Sequence, residues 1–143
     1  GNEYILVLFK QSKIIKLGNT LLRQHNIKNW NIILKNQKEF EGNDRNEKGE
    51  ILAQVNYLSK ELRLWKYYSF NSSEYENTQN ILHEIAHIKL SKLRWITPLI
   101  TIFNKYHFDF SHHFLWKKVA KDVGVYFPNN KKVYNFVKFI PIN

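Results

Sequence analysis

Ser73-Glu74-Tyr75-Glu76, followed by Ile81, Leu82, Ile85 and Ile88, constrains the fold more than any other stretch of the chain. A serine with a glutamate three residues later is a capping box. Each side chain bonds the other residue's backbone N–H, satisfying donors that a helix start would otherwise orphan. The apolar positions then recur at helical spacing and share one face. These signals predict a helix from about Glu74 to Leu90 with a buried side, and that side needs a partner layer.

The neighbouring segments supply one. Between Lys10 and His25, the residues Ile14, Ile15, Leu17, Leu21 and Leu22 form one apolar stripe, which predicts an amphipathic helix. Trp30 to Leu34 is short and rich in β-formers, so it reads as a strand. Glu41 to Glu50 is polar, with two glycines, and reads as a loop or a wide hairpin turn. Ile51–Tyr57 and Glu61–Tyr67 alternate as strands, with a turn over Asn56–Lys60 and Tyr67-Tyr68 as one residue in and one out of a strand end. Trp95 to Phe110, interrupted by Pro98, reads as a short helix and loop over the core. Ser111 is an N-cap for a further helix of about His112 to Asp122, ended by Gly124. The fold class is α+β: an N-terminal helix, a small antiparallel sheet of about three strands, the capped helix and a C-terminal helix.

A chain of 143 residues with 43% hydrophobic content fits a single domain, residues 1–143, with a sizeable core. There is no Cys, which excludes disulfides and thiolate metal sites and fits an intracellular protein. Any metal must be held by His, Asp or Glu. The apolar run Tyr4–Phe9 is too short to span a membrane, and no basic region precedes it as in a signal peptide, so no membrane partner is expected. The chain begins at Gly1 and contains no Met, which suggests a processed or partial form.

The net charge of +10 is unevenly spread. Residues 10–38 hold Lys10, Lys13, Lys16, Arg23, Lys28, Lys35 and Lys38 and no acid, whereas residues 39–50 hold Glu39, Glu41, Asp44, Glu47 and Glu50. Residues 117–143 are basic again, with Asp122 their one acid. Two readings stay open: a surface for polyanions, nucleic acid first, or a Lys-, Asn- and Ile-rich composition with lysines on solvated faces.

Inside the capped helix lies His83-Glu84-Ile85-Ala86-His87. Imidazoles at i and i+4 sit one turn apart on one face and can both reach a single zinc ion. Glu84 then stands close enough to take a proton from water without binding the ion itself, which is the H-E-x-x-H arrangement. Random placement of 6 His and 12 Asp plus Glu in 143 residues gives about 0.02 such matches, so the pattern is specific. The bland alternative is two structural histidines with a solvated Glu84. A catalytic site also needs a third protein ligand, for which His107, Asp109, His112 and His113 are the downstream candidates. His25 reads as an ordinary surface or capping residue.

His83-Glu84-Ile85-Ala86-His87, followed by His112-His113-Phe114-Leu115-Trp116 and then Lys117 to Gly124, resembles the SprT-like (Spartan-related) zinc metallopeptidase domain. That family carries a third His in an H-G-x-x-[F/W] pattern opening a helix that ends near a Gly. The resemblance implies a zincin-like fold over about residues 10–124, with a basic aromatic tail at 125–143. It also implies Zn2+ as cofactor, His83, His87 and His112 as ligands, Glu84 as catalytic base and Trp116 in the aromatic position. The family's Gly after the third His is His113 here, which makes His113 the alternative third ligand. Many members continue into a Cys-rich zinc ribbon, and this chain has no Cys. The substrates implied are proteins or peptides, in eukaryotic members those bound to DNA.

Two other functions remain in view. One is a non-catalytic nucleic-acid-binding domain with a structural zinc, closed by His107, His113 or Asp109 as fourth ligand. The other is an H-E-x-x-H peptidase of another family, of the repressor-cleaving kind. Trp30, Trp65, Trp95 and Trp116 read as core more readily than as stacking platforms for bases. Asp109 reads either as a carboxylate orienting a ligand His or as a helix cap. No particular oligomeric state follows from the sequence.

Overall fold

The computed structural model describes residues 1–42, 45–92 and 114–127. The chain divides into two compact units, Gly1–Glu84 and Ile85–Asn143.

The first unit opens with helix α1, Asn2–Gln24. It begins well before Lys10 because the run Tyr4–Phe9 joins it, with Ile5 N–H donating to the Gly1 carbonyl at 3.3 Å. Its end is a Schellman motif. Asn26 adopts φ +58, Ile27 N–H donates to Leu22 O at 2.9 Å, and Asn26 N–H donates to Arg23 O at 3.0 Å. Leu22 and Ile27, the apolar pair of that motif, are both buried.

Three strands follow: β1, Asn31–Lys35; β2, Ala53–Asn56; and β3, Glu61–Trp65. Their order is β1-β3-β2. β2 and β3 are antiparallel and joined by a turn whose Asn56 Oδ1 accepts from the N–H groups of Leu58 and Ser59. β1 pairs with β3 in parallel, with Ile32 opposite Leu62 and Leu34 opposite Leu64. The sheet is therefore mixed, where the sequence reading expected an antiparallel one. The physical reason is that β3 carries Leu62 and Leu64, 0% and 1% exposed, and burying it requires the central position. The segment 36–52 consequently links β1 to the far edge and is no hairpin turn. Gln37 clamps this segment, its Nε2 donating to Ile51 O at 2.7 Å and its Oε1 accepting from Ile51 N–H at 3.1 Å.

β3 stops at Trp65, where its partners stop too, since Lys35 lies opposite Trp65 and Ala53 opposite Leu64. Beyond that point the backbone has no ladder partner, so it satisfies its groups locally as helix α2, Lys66–Asn71. Tyr67 and Tyr68 therefore belong to a helix and do not end a strand. Tyr67 is exposed and Tyr68 half-buried.

Helix α3, Glu74–Ser91, starts on the expected capping box. Ser73 N–H donates to Glu76 Oε1 at 3.0 Å, and Glu76 N–H donates to Ser73 Oγ at 3.1 Å. Within the first unit, Asn77 Nδ2 donates to Ser69 O at 2.9 Å and ties α3 to α2. Asn80 Nδ2 donates to Leu52 O at 3.4 Å beside the start of β2.

The second unit contains the rest of α3 and helix α4, Phe114–Val123. Gly124 ends α4 as expected, with φ +105 and Val125 N–H donating to Ala120 O at 2.8 Å. Trp116, Ala120 and Val123 are buried at helical spacing. The expected start of this helix at His112, and the expected helix and loop over Trp95–Phe110, lie outside the described residues. Among the described residues no helix is long and apolar enough to cross a membrane.

Candidate functional site

α3 runs without interruption through His83, Glu84, Ile85, Ala86 and His87. Helix geometry alone therefore sets the imidazoles one turn apart on one face. The burial of this turn goes beyond one face. Ile81, Ile85, Ala86 and Ile88 are fully buried, and the polar Glu84 and His87 are only 6% and 7% exposed. His83 is half-buried. The alternative with a solvated Glu84 is thus not what the fold adopts. A carboxylate and an imidazole kept from water are costly to hold unless they interact with partners, and Glu84 and His87 both have such interactions.

Within the second unit, the His87 ring stacks on the Trp116 indole at 5.2 Å with 25° between planes. Trp116 is 1% exposed and meets Phe127 edge-on at 5.9 Å. A ring gripped by its face keeps its two edge nitrogens, one an N–H donor and one an acceptor in the neutral form, directed past the indole.

Lys117, the next residue on α4, is a feature that sequence reasoning missed. It is 0% exposed, and its Nζ lies 5.0 Å from the centroid of Phe127. Burial lowers its pKa from the ordinary lysine value, and the charge of Lys121 one turn on lowers it further. The available signal was its place on the flank of the Trp116–Ala120–Val123 stripe. A lysine there reads as solvated until the neighbouring ring is known.

The third-ligand candidates His107, Asp109, His112 and His113 lie outside the described residues. Among the described residues, no group of three His, Cys, Asp or Glu is assembled as a metal site. The two described imidazoles at i and i+4, His83 and His87, are donors of the kind zinc takes, and Glu84 beside them is not part of that donor set. His25 is the C-cap residue of α1, as the capping reading had it. Of the tryptophans, Trp116 is core. Trp30 and Trp65 are half-buried, Trp30 meeting Tyr57 edge-on at 6.1 Å and Trp65 packing on Tyr67 at 5.4 Å. Trp95 lies outside the described residues.

Comparison of the chain with protein-family models, curated proteins and solved structures returns no significant match.

Proposed function

We propose that this chain is a zinc-dependent metallopeptidase that hydrolyses peptide bonds, with Glu84 as general base. The observation that carries the reading is the H-E-x-x-H run on one capped, continuous helix whose Glu84 and His87 are buried. His83 and His87 would hold the ion through ring nitrogens. His112 is the third ligand by resemblance to SprT-like domains, with His113 the alternative. Zinc at such a site supplies a Lewis acid that acidifies water and polarises a carbonyl. The chain's own part is proton handling. A Glu84 carboxylate oxygen accepts the proton of the attacking water and delivers it to the departing amine. Burial strengthens that exchange by keeping competing solvent away from the carboxylate. Trp116 keeps the His87 ring from rotating. DNA-associated proteins as substrates are an extension of the same resemblance, supported by the net charge of +10.

The test is Glu84→Gln in the full chain, assayed for zinc content and for cleavage of an unfolded protein such as casein. The expected result is unchanged zinc and a rate lower by on the order of 10²–10⁴. Cleavage equal to the parent's removes Glu84 from the mechanism.

A further inference from the structure

α1 changes character along its length. Its buried residues, Ile14, Gly18, Leu21 and Leu22, form one stripe in its second half. The first half has no fully buried residue, yet it carries Tyr4, Ile5, Leu6, Leu8 and Phe9, all 47–66% exposed. Large apolar side chains exposed this closely along one stretch mark an interaction surface. On the side opposite the buried stripe, Ile5 and Phe9 are continued by Lys13 and Lys16, at spacings of four, four and three residues. Lys10 adds a third exposed ammonium, and Glu3 is the single acid of the helix.

Exposed apolar side chains and lysines on one side of a helix match a helix lying in the plane of a bilayer surface, where acyl chains and anionic phosphates are both within reach. A second copy of the chain would set lysine against lysine between molecules of net charge +10. Nucleic acid would use the ammoniums and leave Ile5 and Phe9 in water. The apolar run Tyr4–Phe9 is also far too short to span a bilayer. We infer that the N-terminal half of α1 is a peripheral anchor that seats the protein on an anionic lipid surface. Ile5 and Phe9 enter the interface while Lys13 and Lys16, on the same side of the helix, meet the headgroups. This inference is independent of the proposed peptidase chemistry.

Co-sedimentation of the full chain with vesicles tests it, using phosphatidylcholine alone and phosphatidylcholine with phosphatidylserine. Binding is expected only with phosphatidylserine and should weaken as salt rises. Ile5→Ala with Phe9→Ala keeps helix propensity while removing apolar area, and should lower affinity on the order of tenfold or more with circular dichroism unchanged. Lys13→Gln and Lys16→Gln should each cost about fivefold. Three results overturn the inference. The first is no binding to phosphatidylserine vesicles. The second is binding that the double alanine variant leaves intact, since that reports charge alone. The third is a self-associated or duplex-DNA-bound form that the double alanine variant abolishes while vesicle binding stays absent.

Discussion

His87 lies face to face with Trp116, ring centroids 5.2 Å apart and planes 25° from parallel. The contact joins a residue from the middle of α3 to one in the first turn of α4. It restrains the imidazole by apolar contact, and does so through the ring face.

Trp116→Phe keeps an aromatic ring there with less stacking area. It should destabilise the fold by about 1–3 kcal/mol. If His87 is a zinc ligand, it should also weaken zinc retention, because the imidazole gains freedom it must lose on binding. Thermal unfolding and zinc titration against a competing chelator measure the two effects separately. Zinc affinity equal to the parent's would mean that Trp116 serves packing only.

His112→Ala and His113→Ala, made separately, decide the third ligand. One of them should release zinc from the purified chain and the other should leave the stoichiometry at one per chain. Retention by both variants would move attention to His107 and Asp109, each testable by the same measurement.

Lys117 makes the stability of the protein depend on pH with a definite sign. Its folded-state pKa is lowered from 10.5, chiefly by burial. The unfolded state then binds more protons between the lowered value and 10.5, so this group's contribution to stability rises with pH across that window. Below the lowered value the buried ammonium is a cost, partly offset by the Phe127 ring. Lys117→Met should flatten the rise of stability toward alkaline pH and be neutral or stabilising near pH 7. Urea unfolding of both proteins across pH would show it. Parallel curves for the two would mean the ammonium reaches water.

Gly18 lets α1 approach β1 closely: a Cβ there would lie 2.7 Å from Cγ1 and Cδ1 of Ile32. Gly18→Ala gains about 1 kcal/mol of helix propensity, but overpacking of about 1–3 kcal/mol opposes it and should win. Ile32→Ala removes both crowding atoms. A double-mutant cycle should therefore show coupling between the two positions of about 0.5–3 kcal/mol. Additive effects would mean that Ile32 moves aside freely.

What the sequence by itself determined is local. The Ser73–Glu76 box set the start of α3, because cap bonds form between residues three apart. Gly124 set the end of α4, because that position needs a left-handed backbone. The spacing of His83 and His87 followed from helix geometry. What only the tertiary structure decided is non-local. Whether β1 lies against β2 or β3 depends on which strand takes a neighbour on both edges, and that is β3, which carries the buried Leu62 and Leu64. That comparison across the whole sheet made it mixed and turned Tyr67-Tyr68 into helix. The burial of Glu84 and Lys117 belongs to the same class, because a charged side chain looks solvated in any linear reading until its neighbours are in place. The stack of Trp116 on His87 is likewise a distance across the fold. The motif named both residues, and packing brought them together.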